Sequence, residues 1–343
     1  MNHPQNKTFH FISTHHFPGL PLSDSDISIK GSVLENTNEK IFLRIKKFLN
    51  ENKNASIDAL VVTITDVIDQ TEINEIKKLL PNLNHIATFA VGYNNIDTQH
   101  AKTLGIRVTN TPGVIAEATA DIALTLLLCT TRRVAEGYDM LKKQGEFPGW
   151  SPNFLVGKGL QGKTLGIVGY GDIGKAFAKR AQSLGMHCVA LRSLHENSTP
   201  NKEDENIARY PEDEFLKKCD VISLHVPSTK YTQNWLNKER ILQMKKGSIV
   251  INAGRGDLVD ELALTEALNT GHLYAAGLDV FCHEPILSEP LRTAKNIFIL
   301  PHLGTATEET QSAMGQRIYE TLKAHFIEKQ GSLKLEALPF QVN

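Results

Sequence analysis

Three residues in the last third of the chain are of types that can move a proton and hold a carboxylate. Arg255 lies in Gly-Arg-Gly, Glu284 in His-Glu-Pro and His302 in Leu-Pro-His-Leu-Gly. A histidine can protonate a carbonyl oxygen while hydride reaches the carbon. A carboxylate hydrogen-bonded to the histidine fixes the tautomer of the imidazole. An arginine can hold a substrate carboxylate. Taken singly, the three could also be a core or loop histidine, a solvated acid and a surface cation.

Their common position favours chemistry, because each follows a short apolar run that predicts a β-strand. Six strands are expected in this region, at residues 164–168, 187–191, 221–224, 248–252, 275–279 and 297–300. Helical segments between them indicate a doubly wound parallel sheet, in which ligands bind beyond the carboxyl ends of the strands. We therefore expect all three side chains to face one crevice.

The first of these strands leads into a glycine-rich turn, Gly169, Gly171 and Gly174 in the pattern G-x-G-x-x-G. The first glycine allows a tight turn, the second lets the backbone approach a pyrophosphate, and the third lets helix and strand pack closely. The triplet alone is weak evidence. With a strand before it and a helix and a strand after it, it predicts a dinucleotide site with the anion at the helix N-terminus.

The end of the second strand indicates which dinucleotide binds. An NAD site needs an acid there for the ribose hydroxyls, but Arg192 and Ser193 occupy the place and no acid follows until Glu196. A guanidinium can bind the 2′-phosphate of NADP, and a neighbouring hydroxyl can add a hydrogen bond. We predict that NADP is preferred. The alternative is an NAD enzyme in which Arg192 stacks on adenine or points to solvent.

The first third of the chain predicts a smaller parallel α/β domain. Its strands are expected near residues 9–13, 27–30, 59–64, 86–89 and 106–109, with helices at 39–50 and 70–80. A helix from 116 to about 144 is apolar on nearly every side at 122–128, and it is expected to pack across the domain junction or against another subunit. A last helix, from 305 to about 330, can return to the first domain.

Composition excludes several classes of function. The 343 residues carry a formal charge of −1, which gives no basic field for nucleic acid or an anionic membrane. Neither a signal peptide nor a membrane span is evident. The four cysteines form no C-x-x-C pair and are expected to be reduced thiols in the cytoplasm. His15 and His16 have no partner pair at ligand spacing, so we predict no metal site.

Five segments carry a resemblance that covers nearly the whole chain. INAGRGDLVDE, AAGLDVFCHEP and LPHLGTAT, together with AVGYNNID and VTNTPGVIAEATAD, resemble signatures of the D-isomer-specific 2-hydroxyacid dehydrogenases. TPGVIAEATAD, GWSP and LQGKTLGIVGYGDIG look most like the glyoxylate and hydroxypyruvate reductase branch. The resemblance implies NAD(P)H-dependent reduction of small 2-oxoacids to D-2-hydroxyacids.

The resemblance also implies residue roles, with His302 as acid and base, Glu284 as its partner and Arg255 as substrate anchor. The backbone amides of Val91 and Gly92 are expected to bind the substrate carboxylate, and Trp150 either packs in its own loop or reaches the substrate site of a partner subunit. Cofactor-lining positions are expected at Thr119, Gly169, Gly171, Asp172, Ile173, Gly174, Arg192, Ser193, Pro227, Ala253, Asp279 and Gly304. Asp279 is expected to face the nicotinamide carboxamide.

The architecture implied by the family is two doubly wound parallel-sheet α/β domains. A flavodoxin-like substrate domain is expected from residues 1–112 and 304–343, and a Rossmann NAD(P)-binding domain from 113–303. A homodimer is also expected. Two departures are visible: the first sixty residues match the family loosely, and Asp172 stands where many members place an arginine.

Three alternatives remain open. A D-3-phosphoglycerate dehydrogenase would be expected to carry basic residues near the substrate loop, and VGYNNID has none, nor is an additional C-terminal regulatory domain evident. A formate dehydrogenase would carry glutamine where Glu284 stands. A dinucleotide-sensing binding protein, like the corepressor relatives of the family, can keep all three catalytic-type residues. Turnover of glyoxylate with reduced cofactor separates this last class from an enzyme.

Overall fold

The computed structural model describes residues 8–25, 27–192, 207–330 and 337–343. The chain divides into two compact units. Unit 1 is discontinuous and comprises Met1–Ile115 and Ala306–Asn343, whereas unit 2 is the continuous segment Ala116–Thr305.

Unit 1 is built on a six-stranded sheet. Its strands are β1 (Phe9–Ser13), β2 (Ser23–Asp24), β3 (Ile29–Val33), β4 (Ala59–Val62), β5 (His85–Thr88) and β6 (Arg107–Thr109), and its first helices are α1 (Ile41–Glu51), α2 (Gln70–Leu79) and α3 (Thr98–Thr103). The spatial order is β2-β3-β1-β4-β5-β6. Without β2, this is the flavodoxin-like order 2-1-3-4-5. The flavodoxin-like prediction is therefore confirmed, except that the two-residue β2 pairs antiparallel with β3.

The carboxyl-terminal segment completes unit 1. Helix α11 (Glu308–Lys329) carries an apolar stripe, Met314, Ile318, Leu322 and Phe326, which packs in one core cluster with strand residues such as Val61. The tail beyond it returns to the sheet, where the amide of Val342 donates to the carbonyl oxygen of Val108 at 2.9 Å.

Unit 2 is built on a seven-stranded parallel sheet. Its strands are β7 (Thr164–Val168), β8 (His187–Leu191), β9 (Ala208–Tyr210), β10 (Val221–Leu224), β11 (Ser248–Asn252), β12 (Leu273–Leu278) and β13 (Ile297–Ile299). Its helices are α4 (Ala116–Thr131), α5 (Val134–Asp139), α6 (Asp172–Ser183), α7 (Glu212–Lys218), α8 (Lys238–Gln243), α9 (Glu261–Asn269) and α10 (Glu289–Thr293). The order β13-β12-β11-β10-β7-β8-β9 is the Rossmann order 3-2-1-4-5-6 with one further strand. The order reverses between β7 and β10, which is where such sheets bind dinucleotides.

The expectation of six strands in this unit is wrong, because β9 is a seventh. It is the edge strand beside β8, only three residues long, with an exposed alanine and two half-buried residues. A strand this short and this polar has no run of apolar residues by which its sequence could predict it.

The expectation of one continuous helix at 116–144 is also wrong. Helix α4 ends at Thr131, Arg133 takes a left-handed backbone with φ 55°, and α5 leads into one π-helical turn at Met140–Gln144. The carbonyl oxygen of Thr131 accepts the amide of Lys158 at 2.9 Å, so a distant segment takes the acceptor that the next helical turn would need. Within unit 2, α4 packs on α6 and on strands of the same sheet.

The two faces of this sheet carry separate apolar cores. Ala190 belongs to the cluster with Phe177 of α6, whereas its neighbour Leu191 belongs to the cluster with Phe215 of α7. This alternation follows from the two-residue period of a strand, and it identifies the face to which each side chain near the carboxyl edge points.

Candidate active site

The glycine-rich turn after β7 has the form that a pyrophosphate needs. Gly169 adopts φ 95°, and a Cβ there would lie 2.7 Å from the carbonyl oxygen of His225. A Cβ on Gly174 would lie 2.4 Å from the carbonyl oxygen of Gly169, whereas one on Gly171 would meet no atom within 4 Å. Neither Gly169 nor Gly174 admits a side chain, and Gly171 leaves the N-terminus of α6 open. These residues fit a bound dinucleotide.

A histidine and a carboxylate are paired at the same edge of the sheet. His302, three residues beyond β13, has its Nδ1 atom 2.7 Å from Oε2 of Glu284, and these side chains are 32% and 31% exposed. The other carboxylate oxygen, Oε1, accepts the amide of Phe281 at 3.1 Å. The pair is therefore oriented through Nδ1 and open enough for a ligand to reach the imidazole.

Glu284 is held in its ionised form. Burial alone would raise the pKa of this carboxyl, but the hydrogen bond from His302, its charge, the amide of Phe281 and the charge of Arg255 together hold the pKa below its usual value. An ionised carboxylate on Nδ1 leaves Nε2 as the ring nitrogen that can exchange a proton with a substrate.

Asp279 positions the loop that carries the histidine. Its carboxylate, 1% exposed, accepts the amides of Leu303 at 2.7 Å and Gly304 at 2.8 Å, and its carbonyl oxygen accepts the amide of His302 at 2.9 Å. His302 has φ 56°, a left-handed conformation that costs a non-glycine residue about 1–2 kcal/mol. These three bonds offset that cost and fix the backbone that carries the ring.

The surroundings of Asp279 bring three expected cofactor residues together. Thr119 donates its hydroxyl to the carbonyl oxygen of Gly304 at 3.0 Å, and a Cβ on Gly304 would lie 3.1 Å from Oδ2 of Asp279. Burial raises the pKa of Asp279, while the two loop amides and the charge of His302 act in the opposite direction. Both carboxylate oxygens are thus engaged by backbone amides of the histidine loop.

Arg255 follows β11 and lies close enough to Glu284 for the two charges to interact. Burial lowers the pKa of its guanidinium, opposed by the charges of Glu284 and Asp257, but an arginine stays charged in proteins. Asn252 holds this loop: its Nδ2 donates to the carbonyl oxygen of Arg255 at 2.8 Å, and its Oδ1 accepts the amide of Gly254 at 3.0 Å.

The remaining expected cofactor residues lie around the glycine turn or follow strand ends. Asp172 and Ile173 open α6, Ala253 is buried after β11, and Pro227 is exposed beyond β10. Arg192 follows β8 and is exposed. Ser193 lies outside the described residues.

The three remaining expected substrate residues are Val91, Gly92 and Trp150. Val91 and Gly92 follow β5 in unit 1, where no described group accepts the N–H of either residue. Trp150 lies in unit 2 between α5 and β7 and is 84% exposed, so it does not pack in its own loop.

Two positioning residues were not predicted from the sequence. Asn252 is a buried polar residue ending an apolar strand, which is a signal that could have been used. Glu261 accepts the amide of Cys282 at 2.7 Å and the hydroxyl of Ser288 at 2.7 Å, which ties the Glu284 loop to α9.

Within the described parts of the chain, no three histidine, cysteine or acidic side chains are grouped to hold a metal ion. No helix among those same residues has the length and apolar character to cross a membrane.

Comparisons with known proteins agree on one family. The model of the D-isomer specific 2-hydroxyacid dehydrogenase, NAD binding domain, matches residues 124–304, more than half of the chain. A glyoxylate reductase of Thermococcus litoralis is 44% identical over 273 residues, which covers 78% of this chain and 80% of the relative. A glyoxylate reductase of Pyrococcus furiosus is 41% identical over 273 residues, covering 78% and 79%.

Solved structures show the same relationship. A crystal structure of a protein from Thermus thermophilus superposes with a TM-score of 0.82 at 36% identity, covering 98% of this chain and all of the other. An NADPH-dependent glyoxylate/hydroxypyruvate reductase from Sinorhizobium meliloti, in complex with NADP and malonate, superposes with a TM-score of 0.75 at 27% identity, covering 98% and 97%.

Proposed function

Because the chain belongs to the D-isomer specific 2-hydroxyacid dehydrogenases and is an NAD(P)-dependent oxidoreductase, we propose that it reduces glyoxylate and hydroxypyruvate to D-2-hydroxyacids and prefers NADPH. The observation that carries this proposal is the pair of His302 and Glu284, 2.7 Å apart at the same sheet edge as the dinucleotide turn. The names of the relatives, glyoxylate reductase and glyoxylate/hydroxypyruvate reductase, support the substrate class.

In the proposed reaction His302 gives the proton on Nε2 to the carbonyl oxygen of the substrate. When bound, the reduced nicotinamide supplies the hydride that reaches the carbonyl carbon. Glu284 keeps the proton on Nδ1 and stabilises the imidazolium before transfer, and the Asp279 bonds hold the ring in place. In the reverse direction neutral His302 takes the hydroxyl proton through the same atom.

The carboxylate of the substrate needs cationic and N–H donors. Arg255 supplies a guanidinium whose partial burial strengthens a charge-assisted hydrogen bond. In unit 1, the N–H groups of Val91 and Gly92 are donors without a described acceptor, which supports their proposed role in binding a carboxylate.

Turnover by the purified protein tests this proposal. We expect NADPH oxidation with glyoxylate and hydroxypyruvate, and D-glycerate as the product of hydroxypyruvate. Oxidation of D-3-phosphoglycerate in preference to D-glycerate would indicate the phosphorylated substrate instead. Tight dinucleotide binding without turnover of any 2-oxoacid would indicate a dinucleotide-sensing protein and overturn the enzymatic proposal.

A change of Glu284→Gln is expected to shift the pH profile more than the maximum rate. Glutamine can still accept a hydrogen bond from Nδ1, but it removes the charge that favours the imidazolium. The alkaline limb of reduction should move to lower pH, because reduction needs a protonated acid. The measurement is kcat for glyoxylate reduction from pH 5 to 9; an unchanged limb would contradict the role of Glu284 as the partner of His302.

NADPH preference is supported by the position and charge of Arg192. It directly follows β8, and its amide donates to the carbonyl oxygen of Tyr210 at 2.8 Å. The side chain is exposed at the place where an acid would exclude a 2′-phosphate.

A homodimer is part of the proposal, and the segment from 134 to 156, here called the arm, supports it. Five of its apolar side chains are at least about half exposed: Tyr138, Leu141, Phe147, Trp150 and Val156. A contiguous stretch with this much exposed apolar area is typical of a protein interface.

Trp150→Ala tests whether the arm reaches the substrate site of a partner. If it does, we expect the KM values for glyoxylate and hydroxypyruvate to rise roughly tenfold, since buried tryptophans at interfaces are costly to truncate. Tyr231→Ala is the control, because Tyr231 is a 63% exposed aromatic outside the arm. Unchanged KM values in the Trp150 variant would show that Trp150 does not contribute to the substrate site of a partner subunit.

A further inference from the structure

The tyrosine between the first two glycines of the dinucleotide turn lies beside a second arginine. Cζ of Arg209 is 5.7 Å from the centre of the Tyr170 ring. Arg209 is the half-buried middle residue of β9, the strand that the sequence did not predict. A guanidinium at this distance from an aromatic ring is attracted to it, so Arg209 is held next to the phosphate-binding turn.

Strand register places Arg209 on the same face of the sheet as Arg192. In the β8–β9 pair, Ala190 is opposite Arg209 and Leu191 is opposite Tyr210. Because side chains alternate along a strand, Arg192 continues the face of Ala190. The apolar clusters agree, since Ala190 and Tyr170 share one cluster while Leu191 and Tyr210 share the other.

The two arginines are near enough to serve one anion. Arg192 and Arg209 are diagonal neighbours on adjacent parallel strands, and a strand spacing of about 4.8 Å with a rise of about 3.3 Å per residue puts their Cα atoms about 8 Å apart. Two long side chains on one face, at that spacing, can both contact a single phosphate group. A phosphate dianion has three acceptor oxygens, which is enough for two guanidinium groups.

We propose that Arg209 is a second cation for the 2′-phosphate of NADP, shared with Arg192 and oriented by Tyr170. This inference rests on the proposed NADPH preference and adds a specificity-determining residue to it. NADH has a neutral hydroxyl at the same position, so Arg209 contributes to binding of the phosphorylated dinucleotide alone. Its guanidinium is already placed by the tyrosine before the ligand binds, which reduces the entropy lost on binding.

Calorimetric titration with adenosine 2′,5′-bisphosphate and with 5′-AMP tests the proposal on the full-length protein without any turnover. Arg209→Gln should weaken binding of the bisphosphate about tenfold and leave 5′-AMP within about twofold. Arg209→Lys keeps the charge but not the planar guanidinium, so it should weaken binding of the bisphosphate less than Arg209→Gln does. Lys218→Gln is the matched control, since Lys218 lies 4.8 Å from the ring of Tyr210 on the other face of β9.

Three other results of these titrations would each contradict a particular claim. If Arg192→Gln loses the preference for the bisphosphate and neither Arg209 variant does, Arg209 has no part in the site and the NADPH preference stands. If Arg209→Gln weakens both ligands equally, its role is structural. If the parent protein binds both ligands equally well, the proposed NADPH preference fails together with the role of Arg209.

Discussion

His302→Asn is expected to lower kcat for glyoxylate reduction by about a hundredfold to ten-thousandfold, the usual contribution of a positioned acid. Asparagine suits this test because it tolerates the left-handed backbone that His302 adopts, with φ 56°, better than most residues do. The hydrogen bond from the backbone amide of residue 302 to the carbonyl oxygen of Asp279 should therefore persist, and with it the path of the loop. The variant loses the transferable proton and the bond between Nδ1 and Glu284.

The measurement combines steady-state rates with the dissociation constant of NADPH from its fluorescence. The constant should stay within about threefold of the parent value, because the glycine turn is unchanged. His283→Asn is the control, an exposed histidine one residue before Glu284 in the same loop. Near-native turnover of the His302 variant would show that another group delivers the proton.

Arg192→Asp is expected to lower the ratio of kcat/KM for NADPH to that for NADH by about a hundredfold to a thousandfold. One part of this change is the loss of a charge-assisted hydrogen bond to the 2′-phosphate, typically about 1.5–3 kcal/mol. The other part is repulsion between the new carboxylate and the phosphate, combined with a new acceptor for the ribose hydroxyls of NADH.

Both kcat/KM values are measured with saturating glyoxylate, at two salt concentrations, because screening should weaken the effect. Lys179→Asp makes the same change of charge at an exposed position of α6 and should leave the ratio unaltered. A parent enzyme that prefers NADH, or an Arg192 variant whose ratio does not fall, would refute the proposed cofactor preference.

The sequence predicts the central βαβ unit of unit 2 because its determinants are local. Strands β7 and β8 have the predicted bounds, since short apolar runs lie on either side of a glycine turn and an amphipathic helix. The break after α4 could not be predicted, because it depends on a bond from Lys158 to Thr131 that only the folded chain forms. Strand β9 was missed because its pairing with β8, rather than its composition, makes it a strand.

The sequence likewise predicts one part of the candidate site and not another. Placing Arg255, Glu284 and His302 at one edge needs only the rule that parallel strands end together. The two hydrogen bonds that Asp279 accepts from the amides of Leu303 and Gly304 depend on the path of a loop, which residue types alone do not specify.

Unit 1 is built from two segments that flank unit 2, so a ribosome completes it after unit 2. Unit 2 is continuous and has been synthesised in full by Thr305. At that point the sheet of unit 1 still lacks α11, whose residues Ile318 and Phe326 cover part of its core. The nascent chain thus exposes an apolar sheet surface throughout the synthesis of unit 2, the kind of surface that chaperones bind.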